Sequence, residues 1–333
     1  MKHGKTDAAV LGGGSWGTAL VKVLQHNGVA VGWWVRREAQ KQHILAEHHN
    51  PDYLSYTEID TSNLHISTDI AEVVRNARVI ILAIPSAFLH EATESLTSDI
   101  FRDKTVISAV KGIEPVTLLP VYQWLQTRFD VPEQRLGVIG GPCHSEEVAM
   151  QRLSYLTLGV YDENTGREVA DLIRTPWLPV RISEDVPGIS MASVLKNVYG
   201  ILCGIANGLR YGDNFQSVLV TNAIMEMEQV LLEISGNNRR INQSVYAGDL
   251  MVTAYSRFSR NWMFGNLVGK GYSVKSALLE LKMVAEGYYA AASLAHLPGI
   301  TLSRYPLLNA VWSILYQNIP AAGAMAGVAS NLE

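Results

Sequence analysis

The sequence predicts an α/β domain with a mostly parallel sheet, followed by an all-helical domain. Three observations carry this. Residues 1–187 alternate short β-branched runs with helix-length segments, the pattern of a parallel sheet covered by helices. Several of those runs are apolar throughout, as strands buried on both faces are. Residues 188–333 then change to long helix-compatible stretches with no convincing strand between them. A chain of 333 residues also exceeds one ordinary hydrophobic core, so two domains are expected, with the boundary near Pro187.

The predicted strands are Ala8–Leu11, Val29–Val35, Val79–Ile84, Thr105–Val110, Leu136–Ile139, Tyr155–Val160 and Leu178–Ile182. Helical stretches at Thr18–Asn27, Ala71–Asn76 and Glu163–Thr175 lie between them. In the second half, Met191–Asn207, Gln216–Ser235 and Ser273–Ala295 read as long helices. Two turn-rich breaks are expected there, at Ser235-Gly236-Asn237-Asn238 and from Gly265 to Gly271.

Composition excludes several classes. Lys and Arg number 27 against 31 Asp and Glu, a net charge of −4, so nothing favours binding a polyanion, and nucleic acid is not an expected partner. Cys143 and Cys203 are the only cysteines, too few for a disulfide framework and without metal-ligand spacing. A reducing, cytoplasmic setting is expected, and no metal site. The N-terminus shows no signal-peptide pattern. The stretch from Tyr305 to Leu332 has no charged residue and is long enough to cross a bilayer, yet Asn309, Ser313, Gln317, Asn318 and Pro320 interrupt it. A buried terminal helix at Leu307–Tyr316 is the better reading, and no integral membrane segment is expected.

Gly12-Gly13-Gly14-Ser15-Trp16-Gly17 fits G-x-G-x-x-G, follows an apolar strand and opens a helix, which is the context that gives the pattern meaning. Gly12 serves the tight turn, Gly14 lets backbone approach a pyrophosphate, Gly17 lets helix and strand pack closely, and the helix N-terminus favours negative charge. The first domain is therefore expected to be a Rossmann-type dinucleotide-binding domain. At the end of the second strand, where NAD enzymes place an acid for the ribose 2′-hydroxyl, the chain has Arg36 and Arg37, with Glu38 following. Arginines there suit a 2′-phosphate, or else form a solvated basic pair. NAD and NADP both stay open.

The stretch from Ser193 to Leu202 is apolar on nearly every face, with Lys196 its only charge. Partial desolvation lowers a lysine's pKa toward neutrality, which suits proton exchange with a carbonyl oxygen or an alcohol. A lysine reaching solvent along its stem leaves the same pattern. Asp249, in Gly248-Asp249-Leu250, is either a partner for Lys196 or a helix cap. Ser259-Arg260-Asn261 sets a guanidinium between a hydroxyl and an amide, a set able to grip phosphate, or else a polar turn. Lys111 follows a predicted strand, and ligands of open α/β sheets sit at the carboxyl ends of strands.

An ordered series of motifs, running through almost the whole chain, resembles the NAD(P)-dependent glycerol-3-phosphate dehydrogenases. They are the Gly12–Gly17 loop with Trp16, Val110-Lys111-Gly112-Ile113-Glu114, Gly141-Pro142, Leu195-Lys196-Asn197-Val198, Gly212-Asp213-Asn214, Ala247-Gly248-Asp249-Leu250, Ser259-Arg260-Asn261, and Val284-Ala285-Glu286-Gly287-Tyr288. The resemblance implies interconversion of dihydroxyacetone phosphate and sn-glycerol 3-phosphate, for glycerophospholipid synthesis. It implies an all-helical substrate domain with Lys196 as proton donor and acceptor and Asp249 orienting it. Lys111, Gly141, Cys143, Ser259, Arg260 and Asn261 would join them around a small phosphorylated substrate. Ser15, Trp16, Arg36, Lys111, Ser145, Arg260, Val284 and Glu286, with Gly12, Gly14 and Gly17, match positions that meet the dinucleotide. A homodimer is left open as the assembly.

The chain departs from the family at Gly141-Pro142-Cys143-His144-Ser145, where a Ser or Thr is usual in place of Cys143 and an aromatic and an alanine are usual just after it. A thiol there is a poorer donor than a hydroxyl, and passive substitution is favoured over an activated thiolate. Asn222 stands where a basic residue is frequent. Two other readings compete: a related β-hydroxyacid dehydrogenase with another substrate, and a non-catalytic dinucleotide sensor. The presence of Lys196, Asp249 and Arg260 counts against the sensor.

Overall fold

The computed structural model describes residues 5–281 and 284–332. They form two compact units. One holds the chain before Lys111 together with Val121–Val186, and the other holds Lys111–Pro120 together with the chain from Pro187 onward.

The first unit is built on an eight-stranded sheet: β1 (Thr6–Leu11), β2 (Val31–Trp34), β3 (Leu64–Ser67), β4 (Ala77–Leu82), β5 (Thr105–Ser108), β6 (Leu136–Gly140), β7 (Leu156–Val160) and β8 (Val180–Ser183), in the order β3-β2-β1-β4-β5-β6-β7-β8. Every neighbouring pair is parallel except β6 with β7. Strand β1 is flanked by both β2 and β4, with Ala9 opposite Gly32 on one side and Ile80 on the other. The direction of winding reverses between β1 and β4, the switch point where open α/β sheets bind ligands at their carboxyl edge. β2, β5, β6 and β7 are buried at every position, and β1 from Ala8 to Leu11, so apolar residues occupy both faces and alternation disappears.

Strand β3 is absent from the sequence prediction. Its four residues, Leu-His-Ile-Ser, are half polar, and they lie at the edge of the sheet where only one neighbour supplies hydrogen bonds. The Glu72 carboxylate secures two of them, accepting from His65 Nε2 at 2.9 Å and from Ser67 Oγ at 2.5 Å. That support comes from a residue of the next helix, Ile70–Asn76, and leaves no trace in the strand's own pattern.

The helical unit contains Val186–Gly208, Asp213–Ser235, Asp249–Tyr255, Arg260–Gly269, Val274–Glu280, Glu286–His296, Pro306–Tyr316 and Ala321–Ala329. Two expectations need correction. The stretch Ser273–Ala295 is not one helix, because Val274–Glu280 and Glu286–His296 are separate. The expected break from Gly265 to Gly271 is largely helix, since Gly265 to Gly269 lie inside Arg260–Gly269.

Those glycines are there for packing. A Cβ on Gly265 would lie 2.0 Å from the Ile201 carbonyl oxygen, and one on Gly204 would lie 2.1 Å from that of Trp262. Gly208 and Gly269 repeat the close approach one turn along. Glycines four residues apart thus line the crossing of two helices and bring their backbones into contact, the arrangement small residues permit in helix pairs generally. The Val186–Gly208 helix is long and apolar enough to span a membrane, but its most apolar window is wholly buried inside the protein. It is a core helix. The charge-free terminal stretch forms two shorter helices, Pro306–Tyr316 and Ala321–Ala329.

Candidate active site

In the sheet unit the glycine loop joins β1 to the helix Ser15–His26. Gly12 has φ +134°, a conformation that strains any L side chain, and a Cβ there would sit 2.5 Å from the Ala83 carbonyl oxygen at the end of β4. A Cβ on Gly17 would lie 2.1 Å from the Gly12 oxygen, so the helix can approach the loop only without one. Gly14 differs, because a Cβ there meets nothing within 4 Å. That open side is where a ligand's backbone-hugging group would fit. No side chain caps the helix at Gly14, and the positive end of the helix dipole there favours an anion.

The loop carbonyls are tied back. Gly12 O accepts from Trp33 Nε1 at 2.9 Å, Gly13 O from Gln40 Nε2 at 2.9 Å and Asn50 Nδ2 at 3.0 Å, and Gly14 O from Thr18 Oγ1 at 2.9 Å. In a trans peptide the C=O and the following N–H point in opposite directions. Fixing three carbonyls inward therefore turns the amides of Gly13, Gly14 and Ser15 outward, a cradle of donors suited to a pyrophosphate. The residues fit a dinucleotide. Trp16 is half-buried and packs against the core.

At the end of β2 the two arginines part. Arg37 pairs with Asp52, while Arg36 is exposed and makes no ion pair or hydrogen bond among the described residues. Glu38 is engaged by Gln42 Nε2 at 2.7 Å, Lys41 at 3.4 Å and Thr68 Oγ1 at 3.4 Å. After β6, Gly141 has φ +113° and Cys143 is buried, its thiol donating to Gly141 O at 3.2 Å. Ser145 begins a short helix and donates to Glu146 Oε2 at 3.0 Å.

In the helical unit Lys196 and Asp249 form an ion pair with side chains only 5% and 2% exposed. Lys196 does not reach solvent along its stem, and Asp249 is a partner, not a cap. A five-residue π turn, Ser244–Gly248, leads directly into the helix that Asp249 begins, and single π turns of this kind are frequent at functional sites. The next residue after Lys196, Asn197, donates from Nδ2 to the Lys111 carbonyl at 3.2 Å, bringing the Lys111–Pro120 segment beside the lysine helix. The side chain of Asn261 is fixed by the Gly287 amide, which donates to its Oδ1 at 2.9 Å; its Nδ2 has no hydrogen bond among the described residues. Gly287 can come this close because a Cβ there would strike the Asn197 carbonyl at 2.5 Å.

Arg260 is half-buried at the first turn of its helix, and Ser259 is that helix's cap, its hydroxyl accepting from the Trp262 amide at 3.2 Å. Val284 and Glu286 are half-buried where the Glu286–His296 helix begins. Gln40, Asn50, Thr18, Trp33 and Asn197 do their work outside any role the motifs suggest. Only the four-residue spacing of Gly200, Gly204 and Gly208 against Gly265 and Gly269 offered a sequence signal for the helix crossing.

A Rossmann sheet with an amide cradle at its switch point, and a helical unit with a buried lysine–aspartate pair, define a dinucleotide-dependent dehydrogenase. Residues 7–166 match the family model for the NAD-dependent glycerol-3-phosphate dehydrogenase N-terminus, and residues 185–326 match that for its C-terminus. The chain belongs to the NAD-dependent glycerol-3-phosphate dehydrogenase family. It is 33% identical over 314 residues to the glycerol-3-phosphate dehydrogenase (NAD(P)+) of Lysinibacillus sphaericus, covering 93% of this chain and 92% of that protein. Against the enzyme of the same name from Bacillus subtilis the figures are 33% over 308 residues, 92% and 89%. The crystal structure of glycerol-3-phosphate dehydrogenase from Coxiella burnetii shares the fold, with a TM-score of 0.89 at 24% identity over 97% of this chain and 98% of that one.

Proposed function

We propose that this protein interconverts dihydroxyacetone phosphate and sn-glycerol 3-phosphate with NAD(P)H, supplying the backbone of glycerophospholipids. The single observation that carries the chemistry is the buried Lys196–Asp249 pair in a chain whose two halves both match the family. The dinucleotide, when bound, supplies the hydride for reduction or accepts it in the reverse direction.

The protein's own groups do the rest. As the carbonyl carbon gains a hydride, the developing alkoxide needs one proton, and the Lys196 ammonium is the reading for its source. Asp249 accepts one of the three ammonium hydrogens, which limits rotation about the Lys196 stem and stabilises the charged form before transfer. Arg260 and Asn261 are proposed to hold the substrate phosphate. Support comes from the planar guanidinium at a helix N-terminus and from an amide whose orientation Gly287 fixes. Lys111, with its backbone secured by Asn197, adds a second positive charge near that chemistry.

A cytoplasmic setting belongs to this reading and is supported by two buried cysteines that share no disulfide; burial pushes the Cys203 thiol up to about 12. A homodimer is carried forward as the assembly that sedimentation velocity tests. The deciding assay follows oxidation of NADH and NADPH with dihydroxyacetone phosphate beside unphosphorylated dihydroxyacetone. Turnover that depends on the phosphate is expected, and equal turnover of both ketones overturns the substrate assignment. Arg260→Lys, which keeps charge and loses the planar fork, is expected to lower kcat/KM for the phosphorylated ketone; full activity in that variant removes bidentate recognition.

A further inference from the structure

Behind the glycine loop, on the face opposite its outward amides, lies a neutral polar lattice centred on Asn50, which is wholly buried. Its Nδ2 donates to Gly13 O at 3.0 Å and to Thr18 Oγ1 at 2.8 Å, and Thr18 in turn donates to Gly14 O at 2.9 Å. Its Oδ1 accepts from Gln40 Nε2 and from the Asp52 amide, both at 3.1 Å. An asparagine amide offers two donor hydrogens and two acceptor sites, so all four are used. Gln40 donates to the same Gly13 carbonyl at 2.9 Å.

Three consecutive glycines make such support necessary. A peptide unit between glycines reverses at little steric cost, because glycine tolerates both signs of φ. Reversal of the Gly13–Gly14 peptide would aim a carbonyl oxygen at the pyrophosphate in place of an amide, exchanging attraction for repulsion. The glycine pattern itself contains nothing that prevents this. Asn50, Gln40 and Thr18 each bind a carbonyl only in its inward position.

We propose that Asn50 is a positioning residue for the dinucleotide, locking the Gly13 and Gly14 peptides in the orientation that presents their amides to the pyrophosphate. The proposal rests on the reading that the Gly12–Gly17 loop holds that group. Two variants test it. Asn50→Asp keeps size and the acceptor side toward Gln40 and Asp52, loses both donors and sets an oxygen against Gly13 O. Thr18→Val is nearly isosteric and removes only the donor to Gly14 O and the acceptor for Asn50.

Dissociation constants are measured through nicotinamide fluorescence for NADH and NADPH, with ADP-ribose and adenosine as competitors. Asn50→Asp is expected to weaken NADH, NADPH and ADP-ribose by a common factor of about 10 to 100, and Thr18→Val by about 3 to 10, as hydrogen bonds worth about a kcal/mol each are lost. Adenosine, which has no phosphate, is expected to bind as before, a split that general loosening of the domain would not produce. Parental NADH affinity in either variant that retains its circular dichroism spectrum overturns the proposal. So does an equal loss for adenosine. Failure of the unsubstituted protein to bind NADH would instead overturn the reading of the loop.

Discussion

The glycine loop of the sheet unit and the lysine cluster of the helical unit hold polar groups out of water by opposite means. The loop presents only backbone, and its supports, Trp33, Gln40, Asn50 and Thr18, are all uncharged and satisfied by hydrogen bonds. The cluster buries a complete ion pair on an apolar helix. Neutral lattices lose one hydrogen bond at a time, whereas a buried ion pair with one partner removed leaves a charge that nothing compensates. The lesson is that the sheet unit is expected to fail gradually and the helical unit abruptly.

The largest effects are expected at the ion pair. Lys196→Ala should lower kcat by about 10² to 10⁴-fold, the range for a lost general acid, with the NADH dissociation constant almost unchanged. Near-normal turnover removes Lys196 from the chemistry. Asp249→Ala should destabilise the protein by about 3–5 kcal/mol, and pairing Asp249→Leu with Lys196→Met should recover much of that, since the combination leaves no unpaired charge. Urea denaturation reads both; equal stability of Asp249→Ala and the parent would erase the contrast between the two sites.

Two glycines sharpen the same comparison. Gly265→Ala must separate backbones already at the limit of approach, and a loss of about 3 kcal/mol is expected. Gly14→Ala places its Cβ in open space at φ −82° and ψ −177°, so stability should stay within about 0.5 kcal/mol while dinucleotide affinity falls. Thermal melts with NADH titration separate the cases, and an unstable Gly14→Ala would show that Gly14 serves packing.

A third test concerns Glu226, a buried carboxylate that accepts from the amides of Leu307 at 2.8 Å and Leu308 at 2.9 Å and from Tyr199 Oη at 3.2 Å, one turn along the helix from Lys196. Burial outweighs those donors and raises its pKa to about 7 from 4.5. The folded state therefore holds a proton that the unfolded chain releases near 4.5, so this group's contribution to stability falls as pH rises through the interval up to about 7. The melting-temperature difference between the parent and Glu226→Gln should shift in the variant's favour from pH 5 to pH 8. A difference that stays constant with pH would remove Glu226 as its source.

The smallest effects are expected at the exposed end of β2. Arg36→Ala should raise the NADPH KM about tenfold with little change for NADH, because only the phosphorylated ribose offers a charge-assisted bond. Asp52→Asn, which releases Arg37 from an exposed pair, should improve NADPH binding by about two- to threefold at low salt. Equal changes for both cofactors would show that neither arginine reads the 2′ position.

What the sequence determined by itself was whatever depends on local spacing. Continuous apolar runs announced buried parallel strands, Gly12, Gly14 and Gly17 announced a cradle after β1, and one lysine among apolar residues announced a charge that had either to find a partner or to reach solvent along its stem. Tertiary structure alone decided the rest, because the partners lie far away in the chain. Asp249 joins Lys196 across 53 residues, Asn50 reaches the glycine loop across 37, and Glu226 reaches the start of the Pro306–Tyr316 helix across 81. The Gly265 region reads as a turn on propensity and folds as helix, since the close approach of Ile201 makes the missing Cβ an advantage. Periodicity and motif report how a segment behaves alone. Hydrogen-bond partners and helix crossings are fixed only when distant segments meet, and there the satisfaction of buried polar groups and the exclusion of overlap outweigh local preference.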